Sequence, residues 1–157
     1  MNDEPSTLSL TKIVSGGQTG VDRGALDAAM SMGIKHGGWC PRGRLAEDGL
    51  IPSKYQLREH SSPEYWVRTE QNVVDSDGTL ILYCGQLSGG TELTSRMASK
   101  HQRPCHLVNL LDKGDPIDVR RWLVSGNIKV LNVAGPRESS EPGIREQSRE
   151  FVQAVLS

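Results

Sequence analysis

Apolar residues in this chain fall into two patterns that alternate along it. Short continuous runs such as Ile13-Val14, Leu80-Ile81-Leu82 and Leu107-Val108 suit strands covered on both faces. Five main strands are expected over residues 12–15, 34–40, 79–84, 105–110 and 128–133, with a short one at 55–59. Between them the apolar spacing turns helical. Val21, Ala25, Ala28, Ala29 and Met32 share one face of a helix over 21–32, which Gly33 stops. Ser62-Pro63-Glu64 has the cap, proline and acid of a helix start, and that helix runs to 74. Its apolar stripe is Trp66, Val67, Val73 and Val74, with Glu64 and Arg68 as an i,i+4 pair on the wet side. Further helices are expected from Glu92 to Lys100, from Asp115-Pro116 to 124 and from Pro142 onward. The last buries Ile144, Ser148, Phe151, Val152 and Val155.

Strand and helix alternating from end to end imply an α/β fold, with a parallel sheet and helices on both faces. Residues 1–11 read as a flexible polar lead-in and 12–157 as one ligand-binding domain. Loops that follow parallel strands emerge at one edge, where ligands bind. Three glycine turns and the 41–49 loop follow strands, so they should gather there. The first turn is Ser15-Gly16-Gly17-Gln18-Thr19-Gly20, leading into Asp22 and Arg23 at the start of a helix. Glycines let backbone amides approach a ligand, and a helix N-terminus favours an anion. The second turn brings Gly89, Gly90 and Thr91 to another helix start, and the third brings Gly135 and Arg137. Arg42 and Arg44 join them as guanidinium partners for a phosphate. The spacing is not the dinucleotide fingerprint, and there is no P-loop lysine. Asp22 and Glu92 are the acid–base candidates. Both sit in first helical turns, where the dipole should lower their pKa and suit them to accepting hydrogen bonds rather than donating protons.

Composition removes several classes. The chain has 157 residues, 18 basic and 19 acidic, and no basic run longer than Arg120-Arg121, so a nucleic-acid surface is not expected. No apolar run approaches the ~20 residues of a membrane span, and the lead-in lacks a signal-peptide pattern. Cys40, Cys84 and Cys105 are odd in number and far apart, which suits reduced thiols in the cytoplasm. Neither they nor His36, His60, His101 and His106 have metal-ligand spacing. Trp66 and Trp122 crowd a small core, and aromatics left exposed mark an interface, which joins the family resemblance given below as a ground for expecting a homodimer or higher homo-oligomer.

Several stretches together resemble the molybdenum carrier family, a circularly permuted branch of a Rossmann-like nucleotide-sensing superfamily. They are residues 15–23, 38–44 with Glu47-Asp48-Gly49, Arg68-Thr69 with Asn72-Val73, 75–82, 90–94 and 132–139. The resemblance covers nearly the whole chain. It implies a Rossmann-like open sheet of about five strands that binds a phosphate-bearing small molecule, either a nucleotide or a molybdopterin-type ligand such as the molybdenum cofactor. The same resemblance leaves a second reading, a phosphoribohydrolase-like enzyme acting on a nucleoside monophosphate or an ADP-ribose derivative. The hydrolase motif places a glutamate where this chain has Thr94, and Glu92 stands two residues early.

Overall fold

The computed structural model describes residues 7–112 and 114–157. Of the expected lead-in, residues 1–6 lie outside the described residues. Nine strands and five helices are described. The main sheet has five strands, β1 (Lys12–Val14), β2 (Lys35–Gly37), β7 (Gly78–Tyr83), β8 (Cys105–Asn109) and β9 (Val130–Ala134). Their order is β2-β1-β9-β7-β8 and every pairing is parallel. The last strand is therefore inserted at the centre, where Leu131 pairs with both Ile13 and Gly78. Five parallel strands with helical crossovers make the Rossmann-like α/β architecture expected from the alternating pattern.

The period-2 alternation of strand side chains decides what each face carries. Ile13, Leu80, Leu82, Leu131 and Val133 form the apolar core with three helices, α1 (Val21–Ser31), α4 (Pro116–Ser125) and α5 (Ile144–Leu156). The intervening Thr79 and Asn132 point the other way, where α2 (Tyr65–Val74) and α3 (Gly89–Lys100) lie. This second face is mixed, with Thr79 and Asn132 beside Ile81 and Val14, and its polar positions account for a surprise in α2. Its buried residues are Arg68, Thr69, Asn72 and Val73, while Trp66 remains 50% exposed. The expected inward Trp66 and the expected solvated Glu64–Arg68 pair are both overturned. α2 turns Arg68, Thr69 and Asn72 inward because the surface beneath it offers polar positions, Asp22 and Asn132 among them.

Three boundaries also differ from expectation. The expected strand over 34–40 divides into β2 and β3 (Trp39–Cys40), and β3 pairs with β6 (Arg58–Glu59) in a separate two-stranded sheet. Gly38 makes the break. Its φ is +120°, and an added Cβ would stand 2.2 Å from the Ser15 carbonyl oxygen. The expected 41–49 loop contains a tight antiparallel pair, β4 (Leu45–Ala46) with β5 (Gly49–Leu50). Helix α2 starts at Tyr65, and the Ser62 hydroxyl instead accepts from the Glu64 amide just before it.

Candidate functional site

The first glycine turn is engaged with its own protein. The Gln18 amide donates to the Asp22 carboxylate at 3.1 Å, the Thr19 amide to the Gln18 side chain, and the Gly17 amide to the Ser15 hydroxyl. The Ser15 hydroxyl in turn donates to the Asp22 carbonyl, and the Val21 amide is taken by the Pro136 carbonyl. Asp22 thus fills, from inside, part of the cradle that the sequence offered to a ligand. It is 4% exposed, and burial pushes its carboxyl up to about 6 against the pull of Arg68, the Gln18 and Gly16 amides, and Arg23. The helix-dipole expectation of a lowered pKa is therefore overturned for Asp22, because loss of solvent outweighs the favourable fields.

Two acids from the β4–β5 turn clamp the same region. Arg23 donates to both carboxylate oxygens of Asp48, at 2.6 and 2.8 Å, and to the Gly17 carbonyl at 3.1 Å. Bidentate pairing of this kind holds the Asp48 carboxyl below the usual carboxylate range. Glu47 receives the Thr19 hydroxyl together with the Ser139 amide (3.1 Å) and hydroxyl (2.5 Å). Arg137 stands 3.9 Å away, and these contacts lower the Glu47 pKa, the Ser139 hydroxyl most. A recess of 390 Å³ opens beside this clamp, lined by Thr19, Gly20, Arg23, Glu47, Asp48, Glu138, Ser139 and Arg145.

The remaining candidates divide. Arg44 points its guanidinium at the carbonyls of Ile51, Pro52 and Tyr55, at 3.2, 3.0 and 2.9 Å, so its donors hold the 50s loop. Arg42 is exposed. Gly89, Gly90 and Thr91 open α3, where the Ser88 carbonyl takes the Thr91 amide, and Glu92 is exposed. Gly135 abuts Leu82 and Val21, and Gly20 abuts Pro136 and Arg137. The turns after β1 and β9 therefore meet directly, whereas Gly90 lies against Tyr65 on α2.

Between those groups stands Arg68, whose spacing from Glu64 suggests a solvated side chain but which is buried. It is 5% exposed, its guanidinium lies 4.2 Å over the Tyr65 ring, and one terminal nitrogen is 3.8 Å from the Asp22 carboxylate. Its Nε is buried without a hydrogen-bond partner. Gly16 makes room for it, since a Cβ there would sit 1.7 Å from a terminal nitrogen. Around it Asp22, Thr69, Asn72, Thr94 and Asn132 line a small recess at the ends of β1 and β9. The available signal was the spacing of Arg68, Thr69 and Asn72, three polar residues on one side of α2 next to Val73. The recess measures about 10 Å³, room for about one water, so the orphaned Nε marks a place for a single acceptor atom, a water or one ligand oxygen.

Residues 13–156 match the model of the circularly permutated YpsA SLOG family. The fold is also similar to the crystal structure of a "putative molybdenum carrier protein" from Syntrophus aciditrophicus SB. The two are 45% identical over 96% of this chain and 97% of that one, with a TM-score of 0.90. No curated protein matches significantly.

Proposed function

The chain belongs to the circularly permuted YpsA SLOG family, and from that premise we propose that it binds and carries a phosphate-bearing small molecule at the carboxyl edge of its sheet. The observation that carries this reading is Arg68, buried, stacked on Tyr65 and short of an acceptor at Nε. An external phosphate or carboxylate oxygen there would complete its hydrogen bonds and share the guanidinium with Asp22. The opening of α3 at Gly89-Gly90 lies beyond Tyr65 and supplies helix-terminal amides on the same side. The solved relative is described as a molybdenum carrier, which makes the molybdenum cofactor one ligand to test beside nucleotides. Among the described residues no group of three or more His, Cys, Asp or Glu stands together as a metal cage. In this reading the protein therefore holds such a cofactor by its phosphate end, and the cofactor itself supplies the metal centre. No described helix is long and apolar enough to cross a membrane. We further propose that the protein self-associates through a surface that includes Trp66.

The test is mass spectrometry of small molecules released from the purified protein, followed by titration of the stripped protein with inorganic phosphate, nucleoside monophosphates and ADP-ribose. Saturable binding that Arg68→Gln weakens is the expected result, and binding that ignores Arg68 overturns it. One observation supports the hydrolase as a second reading. Asp22 carries a carboxyl raised to about 6 beside that recess, the range of a general acid or base. Steady release of free base or phosphate by the native protein, lost in Asp22→Asn, would promote the enzyme over the carrier.

A further inference from the structure

A broad groove lies away from the Arg68 recess, and we propose that it is a second binding site, for a flat heterocycle bearing an anionic group. Its volume is about 520 Å³, within the range of small-molecule sites. It runs along the β2-β1-β9 part of the sheet. Val14 and Val130 supply apolar floor, and Gly37 and Gly38 leave the backbone uncovered.

One wall is a fixed aromatic surface. The Trp39 amide and carbonyl are both held by the Asn72 side chain, at 2.8 and 2.9 Å, and its indole N–H donates to Asp75 at 2.8 Å. Two hydrogen bonds to α2 and one to Asp75 just past its end therefore set the ring before any ligand arrives, which reduces the ordering cost of binding. The Arg58 guanidinium lies 4.9 Å from the centre of that ring. Stacked this way, Arg58 offers a second flat face and keeps its edge donors, none of which has a hydrogen-bond partner among the described residues.

The charge of the groove selects the ligand further. Lys12 projects from β1 into it, its stem so close to Gly37 that a Cβ there would meet Lys12 Cε at 2.9 Å. Its ammonium makes no hydrogen bond or ion pair among the described residues. The one acid in the lining, Asp75, is engaged by Trp39 and by Gln71. The His36 ring accepts the Gln56 amide at Nε2, 3.1 Å away. A fixed aromatic wall with Arg58 stacked on it, an unpaired Lys12 ammonium and an apolar floor match a planar anion. The ring lies against Trp39 and Arg58, and the anionic group meets Lys12.

This site does not depend on occupation of the Arg68 recess, although Asn72 lines both. The test titrates the purified protein with orotate and pterin-6-carboxylate, each against its uncharged parent, uracil and pterin. Calorimetry and tryptophan quenching read the binding. Both anions are expected to bind saturably with Kd below about 1 mM, and their parents about tenfold more weakly. Lys12→Gln and Arg58→Gln, with unchanged circular dichroism, should each weaken the anions about tenfold, and Arg68→Gln should leave them unaffected. Absence of saturable binding, or equal binding of the uncharged parents, overturns the proposal. Binding that survives Lys12→Gln and Arg58→Gln but fails in Arg68→Gln also overturns it, while leaving the carrier reading upheld.

Discussion

Asp22 and Arg68 face each other across 3.8 Å of buried space, and each limits what the other can do. The guanidinium is the better-placed ligand partner, so Arg68→Gln should weaken anion binding about tenfold or more, read by calorimetry. Asp22 has the opposite effect on stability. Its folded pKa, about 6, lies above the ordinary 3.8, so the folded state holds the proton more tightly. The associated stability is fully present below about pH 4 and is lost as pH rises through 6, a difference on the order of 3 kcal/mol. Asp22→Asn should remove that slope, and melting temperatures measured from pH 4 to 7 will show whether it does. At this scale the sequence was only partly legible. The glycines, Asp22 and Arg23 could be picked out from their place at a strand–helix junction. Arg68 stood out only as part of the Arg68-Thr69 stretch and its burial did not, because i,i+4 spacing from Glu64 looks the same whether the stripe faces water or protein. What decides it is the polar positions Thr79 and Asn132 on the sheet face beneath α2.

The short β4–β5 pair ties three distant parts of the chain through two carboxylates. Glu47 bridges Thr19 and Ser139, and Asp48 grips Arg23, while Leu45 and Leu50 on its stem remain 61% and 70% exposed. With so little apolar burial, the element depends on its polar tip. Glu47→Ala should cost about 1–2 kcal/mol and raise hydrogen exchange across residues 43–50. Both acids have lowered pKa values, so their contribution is present above the ordinary carboxylate range and fades as pH falls below it. Together with Asp22, this predicts that thermal stability climbs as pH drops from about 7 toward 4.5 and declines in stronger acid. A midpoint that falls steadily from neutral pH would contradict it. The junction of the β1 and β9 turns supplies another check. Gly20 has φ +81°, and a Cβ there would lie 2.3 Å from the Pro136 carbonyl oxygen. Gly20→Ala should therefore destabilise by about 1–3 kcal/mol in denaturant melts. Strand–helix alternation and the glycine turns were visible in the pattern. The β4–β5 pair was not, since two-residue strands leave no period to detect.

Across the whole molecule, Trp66 and Trp122 do not compete for the core but are separated. Trp122 packs against the core and beside His106, and Trp66 stays on the surface of α2. If that surface is where copies meet, light scattering should give a dimer for the native protein and a monomer for Trp66→Lys. A native protein that is monomeric at every workable concentration would end the idea. The strand order has a different consequence, which concerns the order of synthesis. β1 is made early, yet one of its two partners is β9, and the cover of α1 is α5, the last helix. At about 5–20 residues per second, the growing chain spends several seconds with one edge of β1 unpaired and the apolar side of α1 bare. Those are the features that draw nascent chains into mispairing. A version ending at Asn127 should accordingly be insoluble or melt without cooperativity. This protein must keep its first strand unsatisfied on the ribosome until its last strand arrives to close the sheet.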